Sequence, residues 1–223
     1  MIIERKEYLE KLIAWKDKQL IKIVTGVRRC GKSMLLEIYR NYLKEHGIEE
    51  EQIISINFED LDYEELTDYR KLYKYLKKRL IDGKMTYIFL DEVQNVTDFP
   101  KVLDSLYIKK NIDIYVTGSN AYMLSSEIAT MISGRYIQIE MLPLSFKEYM
   151  ESTGSMNDRG IKYAEYLQNS SFPFTLELKN QPDEIRDYLE GIYNTIVVKD
   201  IINRKKITDT MMLKSVLRFV FDN

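Results

Sequence analysis

The sequence predicts an α/β fold: a parallel sheet with helices on both faces, followed by a smaller helical region. Residues 20–25 form a β-branched run that leads through a glycine-containing loop, 26–33, into a segment with helical spacing. Four more strand-like runs, 53–58, 85–90, 112–116 and 136–142, alternate with helical segments. Beyond Pro143 helical patterns dominate, so we predict a boundary at Leu144 between regions 1–144 and 145–223.

Composition limits the class of protein. The 223 residues can bury one large core or two small ones. The charge is nearly balanced, with 33 Lys and Arg against 35 Asp and Glu, so charge does not indicate a DNA or protein partner. The sequence contains no run of the ~18 apolar residues that a membrane span needs. One cysteine and a charged N-terminus without a signal peptide predict a cytoplasmic protein without disulfides.

The loop 26–33 fits the phosphate-binding pattern G-x-x-x-x-G-K-[ST] at every position. Its amides and the following helix N-terminus would face phosphate oxygens, Lys32 would reach the β- and γ-phosphates, and Ser33 would bind Mg²⁺. The alternative is a glycine-rich turn before an ordinary helix. The predicted nucleotide-binding residues are Gly26, Val27, Arg28, Arg29, Cys30, Gly31, Lys32, Ser33 and Met34.

Before and after this loop the predicted elements are structural. An amphipathic helix is expected over 4–16, and His46 is expected to end the helix after the loop. The acids that follow the strand 53–58 are interpreted as a solvated turn, with water-mediated contact to a metal as the alternative. A helix over 69–80 has a basic face that is expected to be solvated.

The apolar run 85–90 ends in Asp91 and Glu92. Paired acids at the end of a buried strand, placed after a phosphate-binding loop, are typical of an NTPase. Asp91 would hold Mg²⁺ mostly through water, and Glu92 would orient and deprotonate the attacking water.

Polar residues also follow the strand 112–116. In a parallel sheet Ser119 or Asn120 would lie beside Asp91 and hold water or the γ-phosphate, so Asn120 is a predicted catalytic residue. The alternative, that both residues cap a helix over 121–132, is compatible with the first. Later helices are predicted over 145–152, 160–168, 183–203 and 208–221, the last with an apolar face that needs a partner.

Five blocks of sequence together resemble the AAA+-related archaeal and bacterial ATPases. They are Gly-Val-Arg-Arg-Cys-Gly-Lys-Ser (26–33), Phe-Leu-Asp-Glu-Val-Gln (89–94), Val-Thr-Gly-Ser-Asn-Ala (116–121), Ser-Gly-Arg-Tyr (133–136) and Leu-Pro-Leu-Ser-Phe-Lys-Glu-Tyr (142–149). The resemblance implies a P-loop NTPase with three α/β/α layers, a parallel sheet of order 5-1-4-3-2, an all-α lid and ATP as the nucleotide. Two departures are visible: Ser170 and Ser171 stand where members often have glycines, and the winged-helix segment of members would begin where this sequence ends.

The resemblance also implies a role for Arg135, which precedes the fifth strand. At this place an arginine finger projects to a neighbour's γ-phosphate, so a homo-oligomer is expected. The alternative is a surface arginine paired with a local acid such as Glu140. Separately, the helix N-terminus and two arginines near Cys30 predict a thiol of lowered pKa, with an inert buried side chain as the alternative.

We interpret the chain as an Mg²⁺-dependent ATPase that couples hydrolysis to a conformational change. Glu92 beside Asp91 favours water over a kinase substrate as acceptor. The alternatives are a nucleotide-dependent switch or DNA-associated regulator with little turnover, and a P-loop kinase.

Overall fold

The computed structural model describes residues 3–119, 132, 134–154, 158–178, 181–196, 201–202 and 207–222. The strands are β1 Ile21–Gly26, β2 Ile53–Asn57, β3 Thr86–Asp91, β4 Ile112–Ser119 and β5 Tyr136–Met141. The α-helices within these residues are α1 Lys6–Ala14, α2 Lys32–Glu45, α3 Tyr69–Lys77, α4 Phe99–Tyr107, α5 Phe146–Thr153, α6 Arg159–Asn169, α7 Pro182–Thr195 and α8 Thr210–Asp222. In this part of the chain no helix is both long enough and apolar enough to cross a bilayer.

The five strands form one sheet of order β2-β3-β4-β1-β5, and every neighbouring pair is parallel. The predicted fold class and the order 5-1-4-3-2 are thereby confirmed. The central strand β1 ends at Gly26, opposite Ser119 of β4 and Met141 of β5. Because all strands run the same way, their carboxyl ends meet at one edge, which is where ligands bind in such sheets.

The sheet is buried on both faces. One face packs its isoleucines, Ile21, Ile23, Ile54, Ile56 and Ile88 among them, in a cluster that includes apolar residues of α3 and α4. The other face packs Val24, Tyr87, Phe89 and Tyr115 with apolar residues of α1 and α2. Successive strand residues point to opposite faces, and this explains why the strands read as continuous apolar runs rather than as an alternating pattern.

The strand β4 is longer than predicted. Its residues Thr117, Gly118 and Ser119 pair with Val24, Thr25 and Gly26 of β1. Thr-Gly-Ser reads as a turn locally, but pairing with a buried central strand overrides that preference. Of the helix predicted over 121–132, all but Ile132 lies outside the described residues.

The helical region begins with α5, whose first turn contains a capping box between Ser145 and Glu148. The described part of the helix predicted over 183–203 is α7, which ends at Thr195. The last helix, α8, exposes several large apolar side chains: Met211, Met212, Val216, Phe219 and Val220.

Candidate nucleotide-binding site

The loop between β1 and α2 requires both of its glycines. A Cβ atom on Gly26 would collide with the carbonyl oxygen of Met141 and would lie 2.9 Å from the Cys30 sulfur. Gly31, the residue that precedes α2, has φ 103°, a left-handed conformation that side chains disfavour. The sequence pattern therefore corresponds to a loop that is tightly closed against β5.

Lys32 begins α2 and turns its side chain back over the loop. It is only 4% exposed, and its Nζ donates to the carbonyl oxygens of Gly26 at 3.2 Å and Val27 at 3.3 Å. The same atom lies 3.6 Å from Oε1 of Glu92. These contacts are long for a buried ammonium group, so the described residues pair its charge incompletely.

Asp91 ends β3 and Glu92 follows it, and each residue is 7% exposed. The Thr117 hydroxyl donates to Oδ1 of Asp91, and the Glu92 amide donates to that hydroxyl at 2.9 Å. Thr117 thus connects β4 to both acids. Ser33, the second predicted metal ligand, lies exposed in the first turn of α2.

Thr117 is a polar residue beside Asp91 that the sequence analysis did not name. Leu90 of β3 pairs with Val116, and three positions further along β4 Ser119 pairs with Gly26 of β1. Asn120 is outside the described residues, and its predicted role stays a prediction. Thr117 directly follows the predicted strand 112–116 in the sequence. Its contact with Asp91 could have been predicted only if β4 had been expected to continue past Val116.

A second polar residue that sequence reasoning missed is Gln94. Glu92 has φ 54°, and the chain then forms a 3₁₀ turn, Val93–Asn95. This turn brings the Gln94 amide back to the Glu92 carboxylate, where Nε2 donates to Oε2. Glutamine two residues after a glutamate has no sequence periodicity that would indicate this contact.

An apolar cleft of about 350 Å³ adjoins the loop. Arg29, Gly31 and Met34 line it from the loop side, and Pro173, Phe174 and Tyr188 line it from the helical region. The rings of Phe174 and Tyr188 lie 5.0 Å apart, and the Arg29 guanidinium lies 5.5 Å from the centre of the Tyr188 ring. The cleft has the size and the aromatic lining of a small-molecule site.

Arg5 joins this cleft to the helical region. Its buried guanidinium donates to the carbonyl oxygens of Cys30 at 3.0 Å and Leu142 at 2.6 Å, and to Oε1 of Glu148 at 2.7 Å. Arg5 therefore connects the loop, the residue after β5 and the first turn of α5 by hydrogen bonds.

The prediction of a lowered thiol pKa is wrong for Cys30. The side chain is fully buried, and burial raises its pKa although Lys32 and Arg5 favour the thiolate. Desolvation disfavours the charged form more than the nearby cations stabilise it.

Arg135 lies away from its own loop. Its carbonyl oxygen accepts from the Ile21 amide at 2.8 Å, at the amino end of β1, so roughly 17 Å of strand separates it from Gly26. Its guanidinium donates to Asp104 at 2.6 Å, and its side chain is 42% exposed. Asp104 is thus a local acid that pairs with Arg135.

His46 and Glu59, which the sequence analysis did not assign to catalysis, contact other residues of the protein. His46 ends α2 and hydrogen-bonds the Tyr42 carbonyl oxygen at 2.8 Å. Glu59 lies 3.7 Å from Arg28 of the loop. Among the described residues no group of three or more Asp, Glu, His or Cys side chains forms a protein-only metal cage.

Comparison with known proteins identifies the family. A family model described as an AAA domain matches residues 18–150. An uncharacterized protein of Haemophilus influenzae is 39% identical over 228 aligned positions, which cover 100% of this chain and 56% of the relative. An uncharacterized protein of Methanocaldococcus jannaschii is 31% identical over 91% of this chain and 47% of its own length. The chain thus spans about half the length of these curated relatives.

A solved structure has the same fold. The Walker-type ATPase of Pyrococcus abyssi superposes with a TM-score of 0.57 at 16% identity, over 92% of this chain and 76% of that one. The AAA domain implies nucleotide binding, and the matched region includes the loop 26–33. The chain belongs to the AAA-domain family of P-loop ATPases.

Proposed function

We propose that this protein binds ATP with Mg²⁺ at the loop 26–33, hydrolyses the γ-phosphate and couples the nucleotide state to the helical region. The observation that supports this best is the arrangement of Lys32, Asp91 and Glu92. The buried Lys32 lies above the loop, 3.6 Å from Glu92, and Asp91 precedes Glu92 at the end of β3, which β4 separates from β1 in the sheet.

When the triphosphate binds, Lys32 exchanges its contacts with two carbonyl oxygens for contacts with phosphate oxygens. Lys32 holds two carbonyl oxygens at 3.2 and 3.3 Å, and these are weak partners for an ammonium group. Phosphate oxygens carry full charge and form stronger hydrogen bonds with it. The amides at the start of α2 add donors and a favourable dipole.

Oxygen donors suit a magnesium ion at this edge. Asp91 contributes a buried carboxylate and Ser33 an exposed hydroxyl, and Mg²⁺ typically uses one or two such ligands with water and phosphate oxygens. When bound, the ion neutralises charge on the phosphates. Thr117 keeps the Asp91 side chain oriented by its hydrogen bond.

Glu92 is the proposed general base. A water oxygen bonds to the γ-phosphorus, and the bond from that phosphorus to the bridging oxygen breaks. The bridging oxygen leaves on ADP with the electron pair, and Glu92 accepts a proton of the water. Lys32 stabilises the charge on the phosphoryl group and also faces Glu92.

The cleft beside the loop receives the base of the nucleotide. Phe174 and Tyr188 provide aromatic surface, and both belong to the helical region. Nucleotide in this cleft therefore contacts the loop and the helical region together. Arg5 spans the same two parts through Cys30 and Glu148, which supports coupling between nucleotide state and their relative position.

Arg135 is proposed to act on a neighbouring copy. It lies at the amino end of the sheet, too far from its own loop to reach a phosphate there. Its Asp104 partner is half-exposed, so the guanidinium can exchange that contact for a neighbour's γ-phosphate. This proposal makes the complete site a property of an oligomer.

Phosphate release and calorimetry test the function with the wild-type protein and two variants, without any phosphate acceptor. Glu92→Gln should retain ATP affinity and lose about 10²-fold or more in kcat, because only the base is neutralised. The matched control is Glu51→Gln, the same change at an exposed acid before β2, and it should behave as wild type.

Three results would count against the proposal: no phosphate release by the wild type, normal hydrolysis by Glu92→Gln, or phosphate transfer only to an added acceptor. Turnover that requires DNA would favour the DNA-associated regulator instead.

A further inference from the structure

We propose that Gln94 positions the attacking water together with Glu92. Its amide group holds the Glu92 carboxylate, and its carbonyl oxygen accepts a hydrogen bond from the water. This inference rests on the proposed hydrolytic function and assigns a residue that the motifs of the sequence do not indicate.

The backbone directs the Gln94 side chain to this place. Glu92 adopts a left-handed conformation at φ 54°, which is uncommon for a residue with a side chain. The turn after it is anchored on both sides of Gln94: Val93 is fully buried, and Asn95 donates from Nδ2 to the Phe58 carbonyl oxygen at 3.2 Å. Non-glycine residues in such conformations are concentrated at functional sites.

The two oxygens of Glu92 have different surroundings. Oε2 accepts from Nε2 of Gln94, whereas Oε1 lies 3.6 Å from Nζ of Lys32, beyond a normal hydrogen bond. Oε1 therefore retains capacity to accept a proton from a water. The contact with Gln94 keeps the carboxylate from rotating out of reach.

The carbonyl oxygen of Gln94 supplies the independent observation. Oε1 of Gln94 is buried and meets no hydrogen-bond donor in the part of the chain that the structure describes. Buried acceptors are nearly always paired, because losing water without replacement is costly. Exchange of the amide oxygen and nitrogen would place the oxygen against the Glu92 carboxylate, so the observed orientation is the favourable one.

A water molecule satisfies this acceptor. One of its O–H groups donates to Glu92 and the other to Oε1 of Gln94, which leaves an oxygen lone pair for the γ-phosphorus. Two fixed acceptors orient the water in a way that one cannot. In the step given above, the proton passes to Glu92, and Gln94 gains and loses no atoms.

The test uses Gln94→Leu, which approximately preserves side-chain volume and removes both the donor and the acceptor. We expect kcat to fall about 10²-fold while the dissociation constant for ATP stays within twofold of wild type. The matched control is Gln168→Leu, the same change at an exposed glutamine of α6, and it should keep kcat. If Gln94→Leu melts at nearly the same temperature as the wild type, the fold is intact, and the fall in kcat reflects the position of the water.

A second comparison distinguishes a role in water positioning from a structural one. In single-turnover reactions, Gln94→Leu added to Glu92→Gln should lower the rate less than twofold further, since both residues act on one water. A kcat for Gln94→Leu within threefold of wild type, or rate losses that multiply in the double variant, would overturn the assignment.

The same set of proteins separates the two proposals. An inactive Glu92→Gln protein with a normal Gln94→Leu protein overturns the role of Gln94 alone. A wild type without hydrolysis, or a fully active Glu92→Gln protein, overturns the hydrolytic function and the role of Gln94 with it.

Discussion

The two ends of the sheet each contain a buried lysine near a carboxylate, and the two pairs are built differently. At the carboxyl end, Lys32 and Glu92 are 3.6 Å apart beside the loop. At the amino end, Lys22 of β1 forms a direct, fully buried ion pair with Asp113 of β4. Both strands also reach the nucleotide-binding edge, so the same scaffold supports both arrangements.

The amino-end pair is surrounded by hydrogen bonds. Lys22 also donates to the Lys18 carbonyl oxygen at 2.6 Å. Asp113 accepts from the Tyr115 hydroxyl at 2.7 Å and from the Asp17 amide at 2.8 Å. Burial lowers the pKa of Lys22 and raises that of Asp113, and the hydrogen bonds and mutual attraction oppose both shifts.

The comparison indicates that the buried charge of Lys32 is available to a ligand and that of Lys22 is not. The groups around Lys22 and Asp113 satisfy one another, so this cluster holds β1, β4 and the segment before β1 together. Among the described residues the contacts of Lys32 are long ones, to two carbonyl oxygens and to Glu92, and we expect stronger acceptors to displace them. Four experiments test this distinction.

The largest effect is expected for Lys32→Ala. ATP affinity should fall about 10³-fold or more, because the buried cation that meets the phosphates is lost. Calorimetry measures this, with Lys44→Ala at the exposed end of α2 as the control. If Lys32→Ala binds ATP as tightly as the wild type does, the phosphates do not lie beside Lys32.

Arg135→Ala extends the comparison to an exposed charge at the amino end. If the residue completes a neighbour's site, ATP should bind normally while turnover falls about 10³-fold. Mixing this variant with Lys32→Ala subunits should restore part of the activity, and activity per subunit should rise with protein concentration. An active Arg135→Ala monomer would contradict the proposal.

Asp113→Ala should destabilise the fold by about 3–5 kcal/mol, because it leaves Lys22 buried without its counter-ion. Denaturant unfolding measures the loss. Replacing both partners, as in Lys22→Met with Asp113→Leu, should recover much of it. ATP affinity of the folded single variant should stay near the wild-type value, and a large loss of affinity would break the separation between the two ends.

The smallest effect concerns Cys30. Because burial raises its thiol pKa, less thiolate is present at any pH than in a free cysteine. Alkylation by iodoacetamide should therefore be slow at pH 7–8, should increase as the pH rises past the usual range of a thiol, and should change little with ATP. Mass spectrometry of timed samples measures the modified fraction, with denatured protein as the reactive reference. Fast labelling of the native protein at pH 7 would restore the original prediction.

Much of the fold could be predicted because its signals are local. The loop 26–33 combines glycine spacing, a lysine and a helix start, and Gly26 and Gly31 prove to be required by close approach and by a left-handed conformation. Asp91 and Glu92 follow an apolar run, and the end of that run is visible in the chain itself. The sheet order was predicted through resemblance to a family and not through periodicity.

The residues that were missed depend on pairing between distant segments. Thr117 reaches Asp91 because β4 keeps pairing with β1 beyond Val116, against the local turn signal of Thr-Gly-Ser. Cys30 lies near cations, as expected, but its depth in the core decides its pKa. Lys22 reads as one charge within a strand, and only the register of β1 against β4 brings Asp113 to it.

The sequence by itself determined the class of fold, the glycine-containing loop 26–33 and the paired acids Asp91 and Glu92, because each is encoded by residues within short stretches. The tertiary structure alone decided the partners of those residues: Thr117 for Asp91, Gln94 for Glu92, Asp104 for Arg135, and Arg5 for Cys30 and Glu148. The physical reason is that hydrogen bonding and desolvation act over a few ångströms in space, whereas sequence patterns report only on neighbours along the chain.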